Sequence, residues 1–272
     1  MMTDMTIGQY YPAKSLLHRM DPRMKLVLTL LFIVVVFLPR NWVGLGAAAV
    51  FLAVVIGLSR LPLRLMWRSI KPILLLVLFT SLLNMFYVTG GTPLLDVGFI
   101  HITSQGVYSA VFIAARILCL ILGSSLLTYT TTPTALTDAI EYLLRPLRVI
   151  HVNAHDIAMM MTIALRFIPT LMEETDKIMS AQKARGADMD SGNLVQRVRA
   201  LVPVLIPLFV SSFRRAYELA MAMECRCYQG GEGRTRMKQL RTAPRDWVAL
   251  AVYVMVAGGI LCLNRYFPAV LT

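Results

Sequence analysis

The sequence predicts an all-α polytopic membrane protein, with about five transmembrane helices and a cytoplasmic helical subdomain. Three observations carry that reading. Hydrophobic residues make up 57% of the 272 and charged residues only 15%, with a mean hydropathy of +0.65, too apolar for an ordinary soluble domain. The apolar residues gather in five stretches, 26–38, 42–58, 73–88, 107–129 and 247–263, each long enough with its flanks to cross a bilayer. The basic residues fall on alternate sides of those stretches, as orientation in a membrane requires.

Asp21 followed by Pro22 marks the start of the first span, the carboxylate as cap and the proline in the first turn. Several stretches are shorter than the roughly 20 residues of a perpendicular span. Lys25 and Lys71 extend them by snorkelling, and Trp42 and Trp247 by sitting at the interface. The first 23 residues hold no apolar core, so no cleaved signal peptide is expected. With the N-terminus inside, three cytoplasmic groups take 24 of the 27 Lys and Arg. These are Lys14, Arg19, Arg23 and Lys25; then Arg60, Arg64, Arg68 and Lys71; then 16 between Tyr129 and Trp247. Arg40 and Arg265 fall outside, and the loop 89–105 carries none. The net charge of +12 therefore reports orientation, not nucleic-acid binding. The chain divides accordingly into a four-span membrane domain (1–130), membrane-apposed cytoplasmic helices (131–245) and a C-terminal transmembrane helix (246–272) that leaves the C-terminus outside.

Thr132-Pro133 repeats the opening device of the first span before an amphipathic stretch through Leu136, Ile140, Leu143, Leu144 and Leu147. Residues 157–172 are apolar but interrupted by Arg166 and Pro169. They read either as a tilted, partly inserted helix or as the start of a long cytoplasmic one. Beyond them the chain turns polar, with an apolar island at 201–210 that Pro203 and Pro207 are expected to break and that is too short to span.

Two short motifs stand out in this polar region: Ala184-Arg185-Gly186 and Cys225-Arg226-Cys227, 41 residues apart. Superposing them aligns Ile178 with Leu219 and Ala181 with Ala222. On a helix these positions share one face with the arginine, so each arginine ends an apolar stripe between small residues, a profile suited to docking a helix tip in a partner's groove. A purely structural reading stands beside this one, because arginine complements the helix dipole and Gly186 is an ordinary helix terminator. Neither motif settles the matter alone.

Other chemistry finds little support. The run Gly230-Gly231-Glu232-Gly233-Arg234-Thr235 departs from the phosphate-loop pattern and no apolar strand precedes it. His151, His155 and Asp156 read more simply as residues around a helix start than as a metal cluster, and Cys225 and Cys227 form a lone C-x-C pair without further ligands. No metal site and no nucleophile–base pair is assigned. Arg116 is the one charge well inside a predicted span and is a possible intramembrane polar site. A self-contained secondary transporter using Arg116 is the alternative reading, but no Asp or Glu falls in the five stretches, where ion-coupled transporters carry several.

Taken together, these features resemble the transmembrane T component of energy-coupling factor transporters, the EcfT/CbiQ family. The resemblance covers most of the chain. It rests on His18-Arg19-Met20-Asp21-Pro22-Arg23-Met24-Lys25, Thr132-Pro133 with its leucine-rich helix, Ala164-Leu165-Arg166-Phe167-Ile168-Pro169 and both arginine motifs. It implies a non-enzymatic coupling subunit of a prokaryotic inner-membrane importer for a vitamin or metal ion. The partners it implies are two ABC-type ATPase subunits, one or more substrate-binding S components and the lipid bilayer. No cofactor is expected on this chain, with ATP and magnesium held by the ATPases. Ala184, Arg185, Gly186, Cys225, Arg226 and Cys227 would be the ATPase-docking residues. Cys227 stands where that family usually has glycine, and it lacks glycine's freedom at positive φ, which puts the geometry of that helix end in question.

Overall fold

The computed structural model describes residues 10–87, 92–97, 100–150, 153–187, 193–231 and 240–266. Their architecture is helical. Eight α-helices run α1 (Pro22–Phe37), α2 (Trp42–Ser59), α3 (Leu63–Tyr87), α4 (Ser104–Thr130), α5 (Pro133–Leu144), α6 (Ala154–Ala184), α7 (Leu194–Cys225) and α8 (Pro244–Tyr266). One antiparallel hairpin, β1 (Pro93–Val97) with β2 (Ile100–Thr103), lies between α3 and α4, inside the segment expected to be a plain loop. The described residues form two compact units, one within 10–139 and 240–266 and one within 140–231.

In the first unit the helices pair antiparallel. Lys25 meets Thr130, Phe32 meets Gly123 and Arg116 meets Pro39, which sets α1 along the C-terminal half of α4. Ser69 reaches Tyr129 (2.7 Å) and Ser81 the carbonyl of Ala110 (3.2 Å), which aligns α3 with α4. Phe51 packs edge-on against Tyr253 and Asn41 donates to the Leu263 carbonyl, which aligns α2 with α8. Lipid tails are as apolar as leucine, so close packing and polar ties, not hydrophobic burial, must hold such helices together. The core meets that requirement with Phe32, Val36, Leu52, Leu126 and Ile260, and Gly123 leaves the space that the Phe32 ring fills.

Asp21 caps α1 as expected, accepting from the Arg23 N–H at 3.0 Å with Pro22 in the first turn. Lys25 is buried and donates to the Thr130 carbonyl (2.9 Å) at the end of α4. Asp246 is also buried. It accepts from the Ala243 N–H (2.8 Å) and from the Asp21 N–H (3.3 Å), tying the start of α8 to the start of α1.

Five described helices or helix segments are long and apolar enough to cross a membrane, and their membership differs from the expected set. The helix α1 has 16 residues, about 24 Å at 1.5 Å per residue, and ends where the chain turns at Pro39. Val198–Cys225 meets this measure of length and apolar composition, a measure that does not itself place a helix in the bilayer. Pro203 and Pro207 do not break this region, which forms one helix of 32 residues. At Pro207, which cannot donate to the carbonyl of residue 203, Gln182 Nε2 of α6 supplies that bond at 3.3 Å. Residues 157–172 prove to be the first half of the 31-residue α6, which continues through Pro169. The amphipathic α5 stops at Leu144 and gives way to a 3-10 turn, Arg145–Ile150, because Pro146 disfavours helical backbone at the residue before it.

A side chain at position 123 must displace the Phe32 ring. Gly123→Leu is expected to destabilise the protein by about 1–3 kcal/mol, the usual penalty of overpacking, seen as a lowered unfolding temperature of the purified protein in lipid nanodiscs.

Candidate functional site

In the second unit α6 and α7 pack as an antiparallel pair. Gln182 lies beside Pro203, Glu174 beside Ser211 and Arg215, and Ile163, Arg166 and Phe167 face Arg215, Glu218 and Leu219 across a cleft of about 350 Å³. The Ser211 hydroxyl and then the Arg215 guanidinium (3.2 Å) hold the Glu174 carboxyl below its ordinary range. Arg185 ends α6 and Arg226 ends α7, so an antiparallel pair places them at opposite ends. The register set by Gln182 and Pro203 puts roughly 26 residues of helix, about 40 Å, between them.

The two ends are built alike. Arg185 is the C-cap of α6; the Gly186 N–H donates to the Lys183 carbonyl (3.0 Å) and the Ala187 N–H to that of Gln182 (3.0 Å). Arg226 is the C-cap of α7; the Cys227 N–H donates to Glu224 (2.8 Å) and the Tyr228 N–H to Met223 (3.0 Å). Each is a complete Schellman motif, with its turn residue left-handed. Gly186 has φ +84° and Cys227 φ +54°. Cysteine therefore adopts the geometry glycine gives the first motif, accepting a strain of about 1 kcal/mol. Ala184, Arg185, Gly186, Cys225, Arg226 and Cys227 are all exposed. Among the described residues neither arginine side chain has a hydrogen bond or ion pair. Ile178 and Leu219 are half-buried at the matching positions, while Ala181 and Ala222 are exposed.

The structure gathers one cluster with no signal in sequence. His155, in the first turn of α6, meets the Glu141 carboxylate of α5 through Nδ1 (3.1 Å) and the Tyr228 hydroxyl through Nε2 (3.2 Å). Residues 141, 155 and 228 are too far apart in the chain for spacing to connect them. Asp156 is exposed in the first turn of α6, where its charge suits the helix dipole. His151 and residues 232–235 lie outside the described residues. Among the described residues no three His, Cys, Asp or Glu come together as a metal-binding group.

Arg116 belongs to the first unit. Its guanidinium donates to the Pro39 carbonyl at the turn between α1 and α2 and lies over the Phe112 and Phe37 rings, 4.8 Å and 5.9 Å from their centroids. Its Nε is buried without a hydrogen bond. Although central in α4, Arg116 sits at the level where α1 ends.

A helical protein with five segments long and apolar enough to span a bilayer belongs to the class of polytopic membrane proteins. Comparison narrows the class. The cobalt transport protein family, CbiQ, matches residues 13–237. Proteins described as energy-coupling factor transporter transmembrane protein EcfT are similar over nearly the whole chain. That of Thermosediminibacter oceani is 52% identical over 261 residues, covering 96% of this chain and 98% of its own length. That of Ruminiclostridium cellulolyticum is 50% identical over 267 residues, covering 98% and 100%. That of Bacillus subtilis is 47% identical over 257 residues, covering 94% and 97%. The chain belongs to the EcfT/CbiQ family of energy-coupling factor transporter transmembrane proteins.

The left-handed positions yield a paired expectation. Cys227→Gly relieves the strain and should stabilise the α7 end by roughly 0.5–1 kcal/mol, whereas Gly186→Ala introduces strain and should destabilise the α6 end by a similar amount. Hydrogen-exchange protection of amides 187 and 228, the last bond of each motif, reads both directly.

Proposed function

We propose that this chain is the coupling subunit of an ATP-driven importer, with Arg185 and Arg226 each docking into one of two ABC-type ATPase subunits. The observation that carries this reading is the matched pair: two exposed, rigidly terminated helix ends, about 40 Å apart by helix rise, each presenting a guanidinium with no hydrogen bond or ion pair among the described residues. Arginine suits such a joint because its planar head forms several charge-assisted hydrogen bonds that resist separation. The flanking Ala184, Gly186, Cys225 and Cys227 are small enough to let the tips seat closely.

In this mechanism the ATPases bind ATP and magnesium, close on one another and move the helix tips. The α6–α7 pair, tied by Glu174–Ser211, Glu174–Arg215 and Gln182–Pro203, carries that displacement as a unit to a substrate-binding S component in the membrane. Phe209, Phe213 and Tyr217 are exposed on α7 and offer apolar surface to lipid or to that component. The S component selects the cargo, a vitamin or a metal ion. The region 131–245 then lies on the cytoplasmic face, with the N-terminus inside and the C-terminus outside. The engagement of Arg116 with a backbone carbonyl and two rings supports a structural role for it and leaves the energy of transport to the ATPases.

Arg185→Ala and Arg226→Ala are each expected to weaken ATPase binding at least tenfold, since a hydrogen bond to a charged group contributes about 1.5–3 kcal/mol. The double variant should abolish uptake while the protein remains folded. Pull-down of the tagged chain from mild detergent, with uptake in the same cells, measures both. Normal uptake by the double variant overturns the assignment.

A further inference from the structure

The two arginine tips share their end geometry, and the Arg226 tip carries a further contact beyond it. Beyond Arg226 the chain turns through Cys227 and folds back onto the start of α6. There the Tyr228 hydroxyl meets His155 Nε2 at 3.2 Å. Gly231 lies against the same imidazole so closely that any Cβ there would collide with the ring. The other ring nitrogen, Nδ1, meets the Glu141 carboxylate at 3.1 Å. A carboxylate only accepts, so Nδ1 donates to Glu141, and Nε2 and the Tyr228 hydroxyl share the second bond. The ring is thereby fixed from both sides, as a carboxylate fixes a histidine that must hold its orientation. Glu141 is mostly buried, with about 15% of its side chain exposed.

Tyr228 is also the residue whose N–H closes the α7 end onto the Met223 carbonyl. One residue therefore closes the helix end that presents Arg226 and fastens it to α5 and α6. Because Cys227 holds its left-handed turn at a cost that glycine at 186 avoids, this end has the greater need of an external tie.

We infer that Glu141, His155 and Tyr228 form a positioning relay that fixes the Arg226 tip, and only that tip, for engagement of its ATPase. The inference rests on the docking reading above. The relay bonds no transported substance; it acts through Arg226. Its second consequence is mechanical. A load on Arg226 passes through Tyr228 and His155 into α5 as well as along α7, so the second ATPase contact has a lateral connection that bypasses the length of α7.

A double-mutant cycle on the complex in nanodiscs tests this, with affinity for the ATPase pair as the readout. Tyr228→Phe removes one hydroxyl and is expected to weaken binding about fivefold, the worth of one ordinary hydrogen bond. Combined with Arg226→Ala it should cause no further loss, because positioning an absent guanidinium has no effect; combined with Arg185→Ala its loss should multiply. His155→Ala, which also removes the surface Gly231 rests on, should show the same pattern with a larger loss. A general weakening of the fold would multiply with both arginine variants alike, and that outcome overturns the relay, as does wild-type affinity for Tyr228→Phe. If neither arginine variant alters affinity, the docking reading fails and the relay falls with it; if both do and the cycle shows no selectivity, the relay alone fails.

Discussion

Backbone carbonyls without an N–H partner are the constraint on which this structure turns. Each helix end leaves up to four, and each internal proline leaves another. In or near lipid there is little water to satisfy them. The chain meets the need with long polar side chains from neighbouring helices. Lys25 reaches Thr130, Asn41 reaches Leu263, Asn264 reaches Leu38, Arg116 reaches Pro39 and Gln182 reaches Pro203. Each bond also joins two helices, so the satisfaction of the backbone and the assembly of the bundle are the same event. At Arg185 and Arg226 the solution is different: the backbone closes on itself in a Schellman turn, and both arginine side chains are left available.

That contrast explains much of what could and could not be read in advance. Composition, apolar runs and the asymmetry of Lys and Arg are properties of long segments, so the helical membrane class, the Asp21-Pro22 start of α1 and the Thr132-Pro133 start of α5 are legible from residues alone. The arginine motifs are equally legible because they repeat. What escapes is set by contacts between distant segments. Proline 207 reads as a break because sequence gives no hint that Gln182 will satisfy the carbonyl it frees. Arg116 reads as a charge stranded in a span because nothing in α4 shows that α1 ends beside it.

The end of α7 illustrates the same limit at the scale of one residue. Cysteine at 227 suggests a departure from the turn that glycine makes at 186, yet both residues are left-handed and both turns are complete. Local preference, worth about 1 kcal/mol, is overridden by two backbone hydrogen bonds and the packing of Tyr228 and Gly231 against His155. A joint that must present one guanidinium at a fixed angle gains from this excess of restraints, since small errors in aim are lost as binding energy. The two tips are thus equivalent in shape, and the Arg226 tip carries this added tie.

The most direct test of the central claim is site-specific photo-crosslinking from positions 184 and 225, one residue before each arginine, in membranes that carry out uptake. If the helix tips are the sites of coupling, both positions capture ABC-type ATPase subunits, one at each tip, and capture at each is lost when its own arginine is replaced. Capture of lipid alone, or of no ATPase at either position in membranes that still transport, would contradict the account.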